Sequence, residues 1–142
     1  MPSQKTSRAL NDIGLVVLRI VVGGIAFAHG LQKILTNGVD GTAGWLGSMG
    51  VPLPDVAAVV VIAIELIGGL MLVLGLAQRV VGILLAADMI GAIALVHAPF
   101  GVFVADGGWE LAALLGAAGL ALSLTGSGAY SIDGAIASRR RR

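Results

Sequence analysis

Residues 54–76 read PDVAAVVVIAIELIGGLMLVLGL, and only Asp55 and Glu65 in that stretch are ionisable. Asp55 sits at its start, whereas Glu65 falls near its middle. A helix rises 1.5 Å per residue, so roughly 20 mostly apolar residues cross the hydrocarbon core of a bilayer. The stretch therefore reads as a membrane-spanning helix that carries a carboxylate at mid-depth.

Three similar stretches lie around it, at about 13–35, 79–96 and 109–125. Gly38, Gly41, Gly44, Pro52 and Pro54 punctuate the chain between the first two. Gln78 and Arg79 mark a very short second turn, Pro99 and Gly107-Gly108 frame the third loop, and Gly126-Ser127-Gly128 ends the last span. The composition agrees. Of 142 residues, 57% are hydrophobic and only 12% charged, with a mean hydropathy of +0.98. A soluble domain carries about 25% charged residues, so this chain has too little charge to coat a water-facing surface. The expected fold is all-α: an integral membrane four-helix bundle. A segment 1–12 precedes the bundle at 13–125, and a basic tail, 126–142, follows it.

Lys5, Arg8 and the run Ala26-Phe27-Ala28 imitate a cleavable secretory signal. Arg19 interrupts the apolar region that such a signal needs, and the apolar run continues beyond Ala28, so the segment is read as a span. Lys5, Arg8, Arg79 and Arg139 to Arg142 flank ends that an even number of spans places on one side. The positive-inside rule puts that side, with both termini, in the cytoplasm. Asp40, Asp55 and Asp106 then belong to outward loops as solvated acids. The arginine tail either lies against anionic headgroups or only fixes topology. Small residues at four-residue spacing (Gly24/Ala28, Ala87/Gly91, Ala112/Gly116, Gly119/Ser123) are expected to be helix-packing faces.

The chain has no cysteine, which excludes disulfides, thiolate-bound iron–sulfur clusters and dithiol redox chemistry of its own. Aromatic residues are scarce, and no nucleic-acid platform is expected.

Chemistry should reside in the ionisable residues that lipid would exclude. These are Arg19, His29, Lys33, Glu65, Asp88, His97 and Glu110. Each costs some 2.5–3.5 kcal/mol to place at mid-bilayer, so they should face inward and pair. At 100° per residue, Arg19, Lys33 and His29 fall in that order around one stripe of the first helix, each about 40° from the next. Depth separates two layers. Arg19 lies about 9 Å from the inner end, Asp88 about 14 Å and Glu65 about 16 Å. His29 and His97 lie at about 24 and 27 Å, with Lys33 and Glu110 beyond. Arg19 and Asp88 are expected to form a structural ion pair. His29, Lys33, Glu65, His97 and Glu110 are the candidates for ligand binding or proton carriage. Two cations face three carboxylates, so one extra proton is expected in the outer layer, shared among His29, Glu65, His97 and Glu110.

The same residues sit in motifs that resemble the DoxX family of small bacterial membrane proteins. Leu18-Arg19 is followed by Gly23-Gly24 and by His29-Gly30-Leu31-Gln32-Lys33. Gly50-Val51-Pro52, Glu65-Leu66-Ile67-Gly68-Gly69, Gly75, Arg79, His97 and Gly108-Trp109-Glu110 come next in order. Gly126 to Asp133 resembles the family's closing Gly-Pro-Gly-Arg-Tyr-Ser motif, with its Pro and Arg replaced by Ser127 and Ala129. The resemblance covers about Leu15 to Asp133. It implies a four-helix protein of the bacterial cell (inner) membrane, associated with redox systems. Family members are linked to thiosulfate:quinone oxidoreduction and to a membrane complex with superoxide dismutase and a sulfurtransferase.

Three functions compete. The first is a membrane subunit of a redox or oxidative-stress-linked complex that binds a quinone or similar lipid-soluble carrier. The second is a non-catalytic scaffold or assembly factor. The third is a haem or metal protein, since His29 and His97 fall at similar depth on different helices. Expected partners are the bilayer and the other proteins of such a complex; a homo-oligomer is compatible with the small-residue faces.

Overall fold

The computed structural model describes residues 3–140, and Arg141 and Arg142 of the basic tail lie outside that range. The chain is all-α. Helix α1 (Gln4–Gln32) runs into a π-helical turn (Lys33–Asn37) and then α2 (Gly38–Ser48). Helix α3 (Pro54–Ala63), a π-turn (Ile64–Gly68) and α4 (Gly69–Leu74) form one rod. So do α5 (Gln78–Ala92), a third π-turn (Ile93–His97) and the 3-10 turn Ala98–Phe100. Helices α6 (Glu110–Thr125) and α7 (Ile132–Arg139) complete the chain. Among the described residues, Gln4–Ser48, Pro54–Leu74 and Gln78–Phe100 are long and apolar enough to cross a membrane; Glu110–Thr125 is apolar but shorter.

The protein is a multi-pass membrane protein, and the distribution of its side chains agrees. Val17, Ile20, Val59, Ile67, Ile83, Ile90 and Leu114 are exposed, while Arg19 and Glu65 are buried. Lipid accepts the former and excludes the latter. The core is a layer of Val22, Leu72, Val81, Leu85 and Leu122 with their neighbours. A second small cluster, Ala43, Leu46, Ala58 and Val96, lies under α2.

Several element boundaries differ from the sequence reading: the second turn lies before Gln78, where α5 already begins, and the tail contains α7. Helix α1 begins at Gln4, before the apolar stretch, because Ser3 caps it by accepting from the Thr6 amide. The glycine-rich segment expected as a loop is helix α2. A turn at Gly38, φ +67°, redirects the chain, and burial of Thr42, Ala43 and Leu46 then holds the new helix. Glycine weakens a helix by only about 1 kcal/mol per residue, which packing can override.

Helix contacts also depart from the expected small-residue pairs. Gly116 and Gly119 do pack, against Met89 and Gly82. Gly24 and Gly91 have open space where a Cβ would lie, and Ala28 and Ala87 face outward. The close approaches are made instead by Gly23 and Gly69 between α1 and α4, and by Gly30 against Leu66. A four-residue spacing identifies a smooth stripe but not which stripe meets a neighbour.

Candidate functional site

Among the described residues three π-turns occur, one in each long helical rod, and each carries one of the ionisable residues: Lys33, Glu65 and His97. A π-turn inserts one residue into a helix and re-aims the side chains around it, often at functional sites. Here the re-aimed residues line one cavity of about 390 Å³ together with His29 and Asp88. Trp45, Val60, Met89, Leu95 and Leu115 supply much of its apolar wall. Its size falls within the roughly 300–1,000 Å³ of small-molecule sites, and a few polar groups in an apolar wall is their usual lining.

Lys33 Nζ and Glu65 Oε2 form an ion pair at 2.5 Å, with both side chains largely removed from solvent. His97 Nδ1 lies 2.7 Å from the Gly107 carbonyl. A carbonyl only accepts, so Nδ1 carries the hydrogen, and Nε2 of the neutral ring is an acceptor. His29 is half-buried on α1, one turn before Lys33. Asp88 Oδ2 is buried without a hydrogen-bond partner.

Two expectations are corrected by the geometry. Arg19 does not pair with Asp88. Its Nη1 donates to the Ser127 carbonyl at 2.8 Å and its Nη2 to the Tyr130 carbonyl at 2.6 Å. Similar depth was a poor guide because a helical Cα–Cβ bond tilts toward the helix N-terminus and a long arginine extends that reach. Arg19 therefore points to the end of the bundle that holds the termini, while Asp88 faces the cavity. Glu110 is not among the cavity's lining residues. Its Oε1 accepts from the Val104 amide at 2.8 Å and so ties the loop before α6.

Arg19 belongs to a second polar assembly that was not anticipated. Asp133 accepts from the Ala77 and Gln78 amides at 2.9 and 3.1 Å, capping the start of α5 from α7. Its own amide donates to the Gly75 carbonyl at 3.0 Å. Gln78 Nε2 donates to the Gly126 carbonyl, and Asp12 Oδ1 accepts from the Ala129 amide. These bonds hold Ala77 at φ +47°, a strained conformation for a residue with a Cβ. They also require a glycine at Gly75, φ +66°, where a Cβ would meet Arg19 and Ser131. The sequence signal for this clamp was the motif at Gly126 to Asp133, whose purpose is invisible without its partners on α1 and α5.

Residues 14–98, which contain every cavity-lining ionisable residue, match the DoxX family. The chain belongs to the DoxX family. Relatives with similarity over most of their length include "Putative oxidoreductase CatD" of Bacillus subtilis, 44% identical over 86% of both chains. Inner membrane protein YqjF of Escherichia coli is 32% identical, over 89% of this chain and 94% of its own. Inner membrane protein YphA of the same organism is 29% identical, over 88% and 91%. No solved structure matches significantly. The chain is a multi-pass protein of the bacterial inner membrane, and the two Escherichia coli relatives are named as inner membrane proteins.

Proposed function

We propose that this DoxX protein is a membrane subunit of a redox system and binds a quinone or similar lipid-soluble carrier in the cavity between its helices. The observation that carries this reading is the convergence of three π-turns on one apolar cavity, each delivering an ionisable residue. The oxidoreductase name of the Bacillus subtilis relative supports it. A bound quinone supplies chemistry that takes up or releases protons with electrons. The protein's part is to hold the head group and manage protons. Lys33, fixed by Glu65, has further N–H groups to donate to a carbonyl oxygen, and His97 Nε2 accepts. The apolar wall suits a ring and the first part of a tail.

In this proposal the four-span reading holds, with α6 as the short fourth span and both termini cytoplasmic. The cavity then lies toward the outer face, beneath α2 and the loop before α6. Partner proteins would meet the cytoplasmic end.

The test is purification from native membranes, followed by solvent extraction and chromatography of bound lipid, beside Glu65→Gln and His29→Ala variants. Quinone in stoichiometric amount in the wild type, and depleted in folded variants, is expected. Wild-type protein that neither retains nor rebinds quinone overturns the reading.

One observation favours a second reading. His29 and His97 line the same cavity, as a bis-histidine haem would need. No group of three or more potential metal ligands gathers among the described residues, so a haem rather than a bare metal ion would be the occupant. A visible spectrum of the same preparation separates the two: a Soret band supports haem.

A further inference from the structure

Three buried side-chain atoms lack a hydrogen-bond partner among the described residues: Arg19 Nε, Gln78 Oε1 and Asp88 Oδ2. Of the three residues, only Asp88 lines the cavity. A buried polar atom without a partner is costly, and native proteins rarely leave one. Asp88 thus has unused hydrogen-bonding capacity beside the space where the ligand would sit.

The charges around it decide what form that capacity takes. Lys33 and Glu65 form an ion pair and cancel. From α1 the other ionisable lining residue is His29, and from the π-turn after α5 it is His97, already bonded to Gly107. Helix α4 contributes no titratable group, and on α6 Glu110 is engaged with Val104. Arg19 is committed to Ser127 and Tyr130, and Lys5, Arg8 and Arg79 sit at the terminal ends of α1 and α5 and do not line the cavity. Asp88 therefore leaves one uncompensated negative charge in a largely apolar wall. Water in an open cavity can reach this carboxylate only through Oδ1, because Oδ2 is buried, and a ligand that displaces that water leaves the charge unsolvated. An isolated charge in such surroundings is neutralised by taking a proton.

We propose that ligand binding in this cavity is coupled to uptake of one proton by Asp88, whose carboxyl group then donates a hydrogen bond to a carbonyl oxygen of the ligand. Asp88 becomes a ligand-positioning residue instead of a structural counter-ion. The inference rests on the quinone reading and adds to it a named proton and its place. No electron transfer is needed for it: the proton comes from solvent on binding, and the bond to Asp88 is the one formed.

The test uses the full chain in lipid nanodiscs, with decylubiquinone as probe. Quenching of Trp45, which lines the cavity, reports binding in a Trp109→Phe background. Wild-type affinity should be constant at acid pH and fall about tenfold per pH unit on the alkaline side, as one linked proton requires. Asp88→Asn is uncharged and donates through its amide. It should bind within about twofold of the wild-type acid limit, at every pH. Asp88→Leu removes the donor and should bind about tenfold more weakly than that limit, as expected for one lost hydrogen bond. Circular dichroism and gel filtration confirm that each variant is folded. A pH-independent wild type overturns the proposal. So does an Asp88→Asn variant that keeps the wild-type slope, which would assign the proton to His29, His97 or Glu65. Absence of quinone binding at any pH overturns the quinone reading and this proposal with it; binding without the pH signature overturns this proposal alone.

Discussion

Asp88 and Arg19 show what one side chain's direction decides. Both were identified as membrane-embedded charges from the sequence, and similar depth made them partners. The structure gives Arg19 two backbone carbonyls at the terminal end of the bundle and leaves Asp88 facing the cavity. If so, their effects on stability are independent. Arg19→Leu, Asp88→Leu and the double variant, followed by thermal unfolding in detergent, should give additive losses to within about 0.5 kcal/mol. A coupling of 2 kcal/mol or more would restore the ion pair. The Lys33–Glu65 pair should behave in the opposite way. Lys33→Leu alone strands a buried carboxylate and is expected to cost about 3 kcal/mol, whereas Lys33→Leu with Glu65→Leu should recover most of that loss. The same double-mutant analysis checks it.

At the scale of helices, the pattern of apolar residues located the spans, but the π-turns escaped it. A single inserted residue shifts the phase of the hydrophobic stripe too slightly to register among residues that are apolar on every side. The spans of this chain are of that kind, since lipid and core both accept Val, Ile and Leu. Helix α2 was missed for a related reason: glycine signals turns in water, but between packed helices it also permits close approach. The two roles can be separated by substitution. Adding a Cβ at Gly69 would bring it to 2.5 Å from the Phe27 amide nitrogen and 2.8 Å from the Gly23 carbonyl, both rigid backbone. Gly69→Ala should therefore push α1 from α4 and lower the unfolding temperature sharply, with a loss of several kcal/mol in order of magnitude, about the scale of an overpacked core. Gly24→Ala, next to Gly23 on α1 but in open space, should be neutral or stabilising by up to about 1 kcal/mol. Equal losses at both positions would contradict the α1–α4 packing described here.

For the whole molecule, the termini meet at one end. Asp12 on α1 accepts from Ala129, and Asp133 on α7 caps α5. This clamp joins α1, α5 and α7 there, while the cavity lies toward the opposite end, under α2. With the basic residues gathered at the clamped end, the positive-inside rule predicts that end to be cytoplasmic. Reporter fusions at Asp40 and Asp106 should read as external and fusions after Arg142 as cytoplasmic; a cytoplasmic signal at Asp106 would remove α6 from the list of spans. The sequence by itself determined the membrane class, the approximate place of the three long apolar spans, and which ionisable residues lie within them. Those properties follow from composition and length along one chain, because the bilayer penalises charge wherever it occurs. Which of those residues meet was decided only by the tertiary structure. Helix rotation, the three π-turns and the reach of Arg19 are set by packing between segments far apart in the chain. That packing gathers Lys33, Glu65, Asp88 and both histidines around one cavity, and sends Arg19 and Glu110 elsewhere.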